Sequence, residues 1–191
     1  MKSKYFSELL GTAFLFCTVV GSGIMGQNLS SNDSLTLLAN TLATVFALYF
    51  LITIFGEHSS HFNPVVSMVM LVRKEITTQV CTIFIILQIS GAILGVMLAN
   101  YIFELDPVYF SEKPRSGTHL FVSEILATFG LLMVILLSSK EKVALTVAAY
   151  IGAAYWFTSS TSFANPAGTI GRSFSNTFAG ISTNDILHFC V

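Results

Sequence analysis

Two asparagines in this chain are each followed by proline in similar surroundings, in HFNPVV at 61–66 and in FANPAG at 163–168. Four prolines and eight asparagines among 191 residues predict about 0.2 Asn-Pro pairs by chance, so two are a feature. Asparagine is a preferred N-cap, and proline suits the first helical position because its missing N–H would be unpaired there anyway. Each pair therefore starts a helix and sets a carboxamide, with its N–H donors, in apolar sequence. Such donors suit a neutral solute with acceptor oxygens. Two carboxylates stand in equally apolar sequence, Glu8 in SELLGT and Glu124 in SEILAT. Buried acids of this kind either carry protons or accept hydrogen bonds from backbone N–H groups that need fixing. The chain offers no nucleophile–base pair and no metal-ligand cluster, so enzyme function has no support and no cofactor is implied. Cys17, Cys81 and Cys190, odd in number and far apart, read as packing residues.

The elements that must position these groups follow from composition. Apolar residues make up 53% of the chain and charged residues 10%, with mean hydropathy +0.75 and net charge −1. About a quarter charged is usual in soluble domains, so these values indicate an integral membrane protein surrounded by lipid, and they give no basic field for nucleic acid. Apolar runs extend over Leu9–Asn32, Leu35–Gly56, Ile76–Phe103, His119–Ser139 and Val143–Gly171. A crossing needs about 20 helical residues, so five spans are expected, with the end of the last run cut off at Asn165-Pro166 as a separate element. The N-terminus resembles a signal peptide in outline. It lacks a small-residue cleavage site and carries Glu8, so it reads as a retained span. For alternating spans Lys2, Lys4, Arg73, Lys74, Lys140 and Lys142 share one side, and this bias places the N-terminus in the cytoplasm.

The chain also repeats itself. Ser7-Glu8-Leu9-Leu10-Gly11-Thr12 is echoed by Ser123-Glu124-Ile125-Leu126-Ala127-Thr128, and each copy is followed by one Asn-Pro. Three spans separate the copies, so the second unit, 119–191, is inverted relative to the first, 1–118. Inverted repeats around interrupted segments point to a permeation or transport site. From each asparagine about ten residues remain before polar sequence, or about 15 Å of helix, which is half a bilayer. Two half-helices would thus meet at the midplane, their positive ends opposing cations and protons.

These residues carry a resemblance. Glu8 and Glu124 in their Leu-Gly/Ala-Thr settings, His61-Phe62-Asn63-Pro64-Val65 and Asn165-Pro166-Ala167 are similar to the motifs of the aquaporin and glycerol-facilitator family, the major intrinsic proteins. The resemblance implies an all-α membrane fold of inverted repeats with two re-entrant half-helices, homotetramers, and passive flow of water or small uncharged solutes. It makes Asn63 and Asn165 the central donors and has Glu8 and Glu124 hold the re-entrant loops, with His61 on the cytoplasmic side. Val65 stands where the family usually has alanine. Gly168 stands where water-selective members have arginine, so a wider, less polar constriction is expected, with Arg172, one turn on, and Ala153 as further filter candidates. The stretch after Asn165 resembles a bacterial subgroup linked to arsenic resistance, which implies a bacterial plasma membrane and metalloid hydroxides such as arsenite beside glycerol and urea. Only eleven residues follow Gly180, so five complete spans and an incomplete sixth are expected, with impaired activity.

The leading reading is a passive channel. One alternative is a proton-coupled secondary transporter with Glu8 and Glu124 as carriers; the other is a truncated, non-conducting fragment.

Overall fold

The computed structural model describes residues 2–190, and among them the only regular secondary structure is helical. The first repeat holds α1 (Lys2–Leu29), α2 (Asp33–Phe55), the short α3 (Pro64–Val72) and α4 (Thr78–Ile102). The second holds α5 (Thr118–Leu137), α6 (Val143–Phe157), the short α7 (Pro166–Arg172) and a 3-10 helix, Thr183–Phe189. Each run of uncharged apolar residues becomes a helix because the backbone can satisfy its polar groups internally, which lipid requires. Local chemistry sets the boundaries. Asn32 caps α2 through Ser34 and Leu35 N–H, and Thr77 caps α4 through Val80 N–H.

Four helices, α1, α2, α4 and α5, are long and apolar enough to cross a membrane. The fifth run forms α6, shorter than these four at 15 residues, about 22 Å at 1.5 Å each. The helix stops at Thr158 because the rest of the run must turn back as a loop and half-helix to bring Asn165 inward. In the place that α4 takes in the first repeat, the described residues of the second have the 3-10 helix, packed on α7 and α5.

The tightest crossing is α1 on α4. It depends on Gly91 and Gly95 of α4, where a Cβ would overlap the carbonyl oxygens of Leu9 and Ala13. Small residues let membrane helices approach at backbone distance, where dispersion contacts are densest. The core so formed runs from Leu15, Val19 and Val20 of α1 to Ala92 and Val96 of α4 and reaches Ala164 and Ala167 of the second repeat. It clamps the two short helices between the long ones. The connection after α4 is tied to the segment after α7 by Tyr109 N–H to the Phe174 carbonyl and Ser111 N–H to the Ser173 carbonyl.

Candidate functional site: a cavity between two short helices

The short helices begin where the two Asn-Pro pairs stand. The Asn63 side-chain oxygen accepts from Val65 N–H, and that of Asn165 accepts from Ala167 and Gly168 N–H, with proline next in each helix. The residue before each asparagine is left-handed, Phe62 at φ 49° and Ala164 at φ 45°. Such a backbone costs an L-residue about 1–2 kcal/mol, so other contacts must hold it. Buried carboxylates do so. Glu8 accepts from His61 N–H (2.8 Å), Phe62 N–H (2.8 Å), the Ser59 hydroxyl (2.5 Å) and the Gln88 amide (2.7 Å). In the inverted copy Glu124 accepts from Phe163 N–H (2.9 Å) and Ala164 N–H (2.7 Å). Both acids are completely buried, and neither lines the cavity. A carboxyl group so placed is satisfied by hydrogen bonds rather than by solvent.

The left-handed turns aim the preceding carbonyls across the repeat axis. The Asn63 amide donates to the Ala164 carbonyl (2.6 Å), and the Asn165 amide donates to the Phe62 carbonyl (2.8 Å). A carboxamide has two N–H groups, so each asparagine keeps one for a solute after this cross-brace is made. Both line a cavity of about 160 Å³. Its remaining wall is largely apolar, with Leu15, Phe16 and Val19 of α1, Leu48 of α2 and Leu131 of α5. Polar groups stand at the two ends. At one end is His61, whose Nδ1 shares a hydrogen bond with the Ser67 hydroxyl (3.0 Å) and whose ring meets Phe84 edge-on. Toward the other end Thr44 and Tyr155 share a hydrogen bond (3.2 Å), and Ser162, whose buried hydroxyl has no protein partner, also lines the cavity.

Arg172 reaches this second end. Its side chain is buried, its Nε donates to the Ala179 carbonyl, and its guanidinium lies 3.3 Å from the centroid of Phe163. Pro64 and Ala167 are buried, and Val65 and Pro166 are half-buried, within the two caps. The other filter candidates lie elsewhere. Ala153 is exposed on α6 and outside the cavity lining, because α6 turns Val147, Ile151 and Tyr155 inward. Gly168 is buried but likewise outside the lining: the space a side chain would take is filled by the Phe16 ring. The opening expected from the absent side chain is therefore occupied, and Phe16 presents that volume to the cavity.

Sequence reasoning missed Gln88, Phe16, Thr44, Ser162 and Phe163. The repeat carried a signal for one of them, since Phe163 stands two residues before Asn165 as His61 stands two before Asn63. Gln88 carries no such signal, being one of three amides in the uncharged run Ile76–Phe103.

The sequence model of the family described as "Major intrinsic protein" matches residues 1–179. This chain belongs to that family. It is 47% identical over 189 residues to the aquaglyceroporin AqpS of Rhizobium meliloti (strain 1021), covering 97% of this chain and 81% of that one. It is 25% identical over 142 residues to aquaporin NIP2-1 of Arabidopsis thaliana, covering 69% and 48%. Its fold matches the X-ray structure of the aquaglyceroporin from Plasmodium falciparum with TM-score 0.69 at 20% identity, over 89% of this chain and 78% of that one. The protein is thus a multi-pass membrane protein and a passive channel for water or small uncharged solutes.

Proposed function

We propose that the cavity between Asn63 and Asn165 is the conduction path, and that it admits uncharged hydroxyl- or amide-bearing solutes larger than water. The observation that carries this reading is the pair of asparagine amides, each with one N–H left over, facing an apolar wall. A small polyol can hand its oxygens along the donors while its carbons slide on the opposite side, whereas an ion finds no replacement for its hydration shell. Arg172, Tyr155, Thr44 and Ser162 sort solutes at one end, and His61 stands at the other. Glycerol, urea and metalloid hydroxides such as arsenite are the candidates. The aquaglyceroporin relative from Rhizobium meliloti supports this choice. The basic loops support a cytoplasmic N-terminus, the bacterial relative a bacterial plasma membrane, and the family a homotetramer.

The test is stopped-flow light scattering on proteoliposomes, with gradients of water, glycerol, urea and arsenite. Saturation-free flux down each gradient is expected, with glycerol faster than in empty liposomes and no uptake driven by ΔpH. Accumulation against a gradient under ΔpH would replace the channel by a proton-coupled carrier. Water flux without glycerol, urea or arsenite flux would leave the channel but refute the larger solutes.

A further inference from the structure

The Arg172 end of the cavity carries more positive charge than the conduction path uses. Lys113 and Arg115, in the connection between α4 and α5, lie beside Arg172, and the three cations hold one short turn between them. The Lys113 ammonium donates to the Phe178 carbonyl (2.8 Å), Arg172 Nε donates to the Ala179 carbonyl, and Arg115 Nε donates to the Gly180 carbonyl (2.9 Å). Three successive carbonyls thus take three cations. Among the described residues none of the three is in an ion pair, the one pair present being Arg73 with Glu75. The Arg115 backbone N–H is held in addition by Asp185 (2.7 Å). Its guanidinium lies 4.9 Å from the centroid of Phe163, the ring that also carries Arg172.

These contacts divide between two spaces. Phe163 and Arg172 line the conduction cavity; Arg115 and Lys113 line an adjoining recess with Asp33, Ser34 and Thr161. Arg115 therefore does not touch a solute in the cavity. It meets the Phe163 ring and pins the turn to which Arg172 is bonded. A guanidinium over an aromatic face is attracted by the ring quadrupole, while two like charges near one ring repel each other. Phe163 is held by the first effect, and Arg172 is kept from swinging back toward the recess by the second.

We propose that Arg115 is a positioning residue that determines specificity: through Phe163 and the Phe178–Gly180 turn it sets the aperture that Phe163 and Arg172 leave to solute. The inference rests on the cavity being the conduction path. It names a residue outside the Asn-Pro loops, and no motif in the sequence marks it.

The experiment compares glycerol and water permeability in proteoliposomes for the 191-residue chain and for Arg115→Gln, Arg115→Lys and Arg172→Gln. Each variant is first checked for monodispersity in detergent. Arg115→Gln is expected to raise the glycerol-to-water ratio by about fivefold, the factor that loss of one partly desolvated cation–π contact gives. Arg115→Lys, which keeps a cation over the ring, is expected to restore most of the original ratio. A ratio unchanged or lowered in Arg115→Gln, while Arg172→Gln shifts it, overturns the role of Arg115 and leaves the conduction path standing. No change in either variant overturns both, because that end of the cavity would not limit flux. Should Arg115→Gln fail to fold, Arg115→Met, which keeps the aliphatic stem and removes the cation, is made in native and Phe163→Leu backgrounds. A shift that persists without the Phe163 ring overturns the proposal, and one that vanishes supports it.

Discussion

Asn63 and Asn165 do two things at once, capping a helix with the side-chain oxygen and bracing the opposite repeat with one N–H. Both were legible in the sequence, because Asn-Pro is a local signal and two copies in apolar runs defeat chance. Gly168 was legible as a departure from the family pattern but not in its consequence. What fills its side-chain space is Phe16, 152 residues earlier, and contacts across helices leave no mark in local sequence. This gives a prediction. Gly168→Ala pushes the Phe16 ring, which lines the cavity, toward the conduction path, so glycerol flux should fall by about tenfold while the protein stays monodisperse. Overpacking of this kind costs roughly 1–3 kcal/mol. Gly168→Ala together with Phe16→Leu should recover flux; if it does not, the ring is not the obstruction. Lys113 supplies a second. Burial lowers its pKa from 10.5 to about 8, with Arg115 and Arg172 adding repulsion and Asp33 opposing. A lysine depressed in the folded state releases its proton before the unfolded chain does, so stability rises with pH between about 8 and 10.5 and is flat below that window. Melting temperature in detergent should therefore climb from pH 8 to 9.5, and Lys113→Met should remove most of the climb.

At the scale of elements, the pattern of uncharged runs places α1, α2, α4, α5 and the start of α6 but does not show where α6 ends. The run from Val143 to Gly171 contains no charge, so hydropathy cannot divide it. The division comes from Thr158–Ala164, a polar and small-residue stretch that leaves the helix and carries three left-handed residues, Thr161, Ser162 and Ala164. Backbone of that kind at depth is tolerated where it is buried in protein or lines a cavity, as Ser162 and Ala164 do here. The α1–α4 crossing was also unmarked, since glycine in an apolar run reads equally as packing or flexibility. Its role is testable at Gly95, where the missing Cβ admits the Ala13 carbonyl. Gly95→Val would force the two helices apart through α4's middle, with no flexible side chain on the other side to give way. A loss of about 2–4 kcal/mol is expected, larger than for overpacking against a movable ring. It should appear as a drop in unfolding midpoint in SDS titration. The equivalent change at Gly23, which faces Phe178 and Ala179 side chains at ordinary contact distance, should cost far less, and equal losses would count against the backbone-contact argument.

For the whole molecule the inverted repeat is the organising fact, and sequence showed it through Glu8 and Glu124. What sequence could not show is that the two halves join at left-handed residues. Phe62 and Ala164 adopt unfavourable backbone angles, each has its N–H fixed by the acid of its own repeat, and each offers its carbonyl to the asparagine of the other. The cross-brace is one closed unit: an asparagine holds the carbonyl whose neighbouring asparagine holds the first one's neighbour. Breaking either bond frees a buried carbonyl and lets its turn relax, so the second bond then stands against a turn no longer held in register. Groups sharing a network couple by about 0.5–3 kcal/mol, whereas unrelated sites would add. Asn63→Ala and Asn165→Ala should each lower the unfolding midpoint and abolish solute flux, and the double variant should lose clearly less stability than the two single losses combined. Glu8→Gln, which replaces an acceptor oxygen by an amide facing the N–H donors of its own loop, should couple to Asn165→Ala in the same sense, because the Phe62 turn joins them. Strict additivity in both cycles would mean that the repeats fold as independent halves and that the meeting of the two asparagines serves conduction alone.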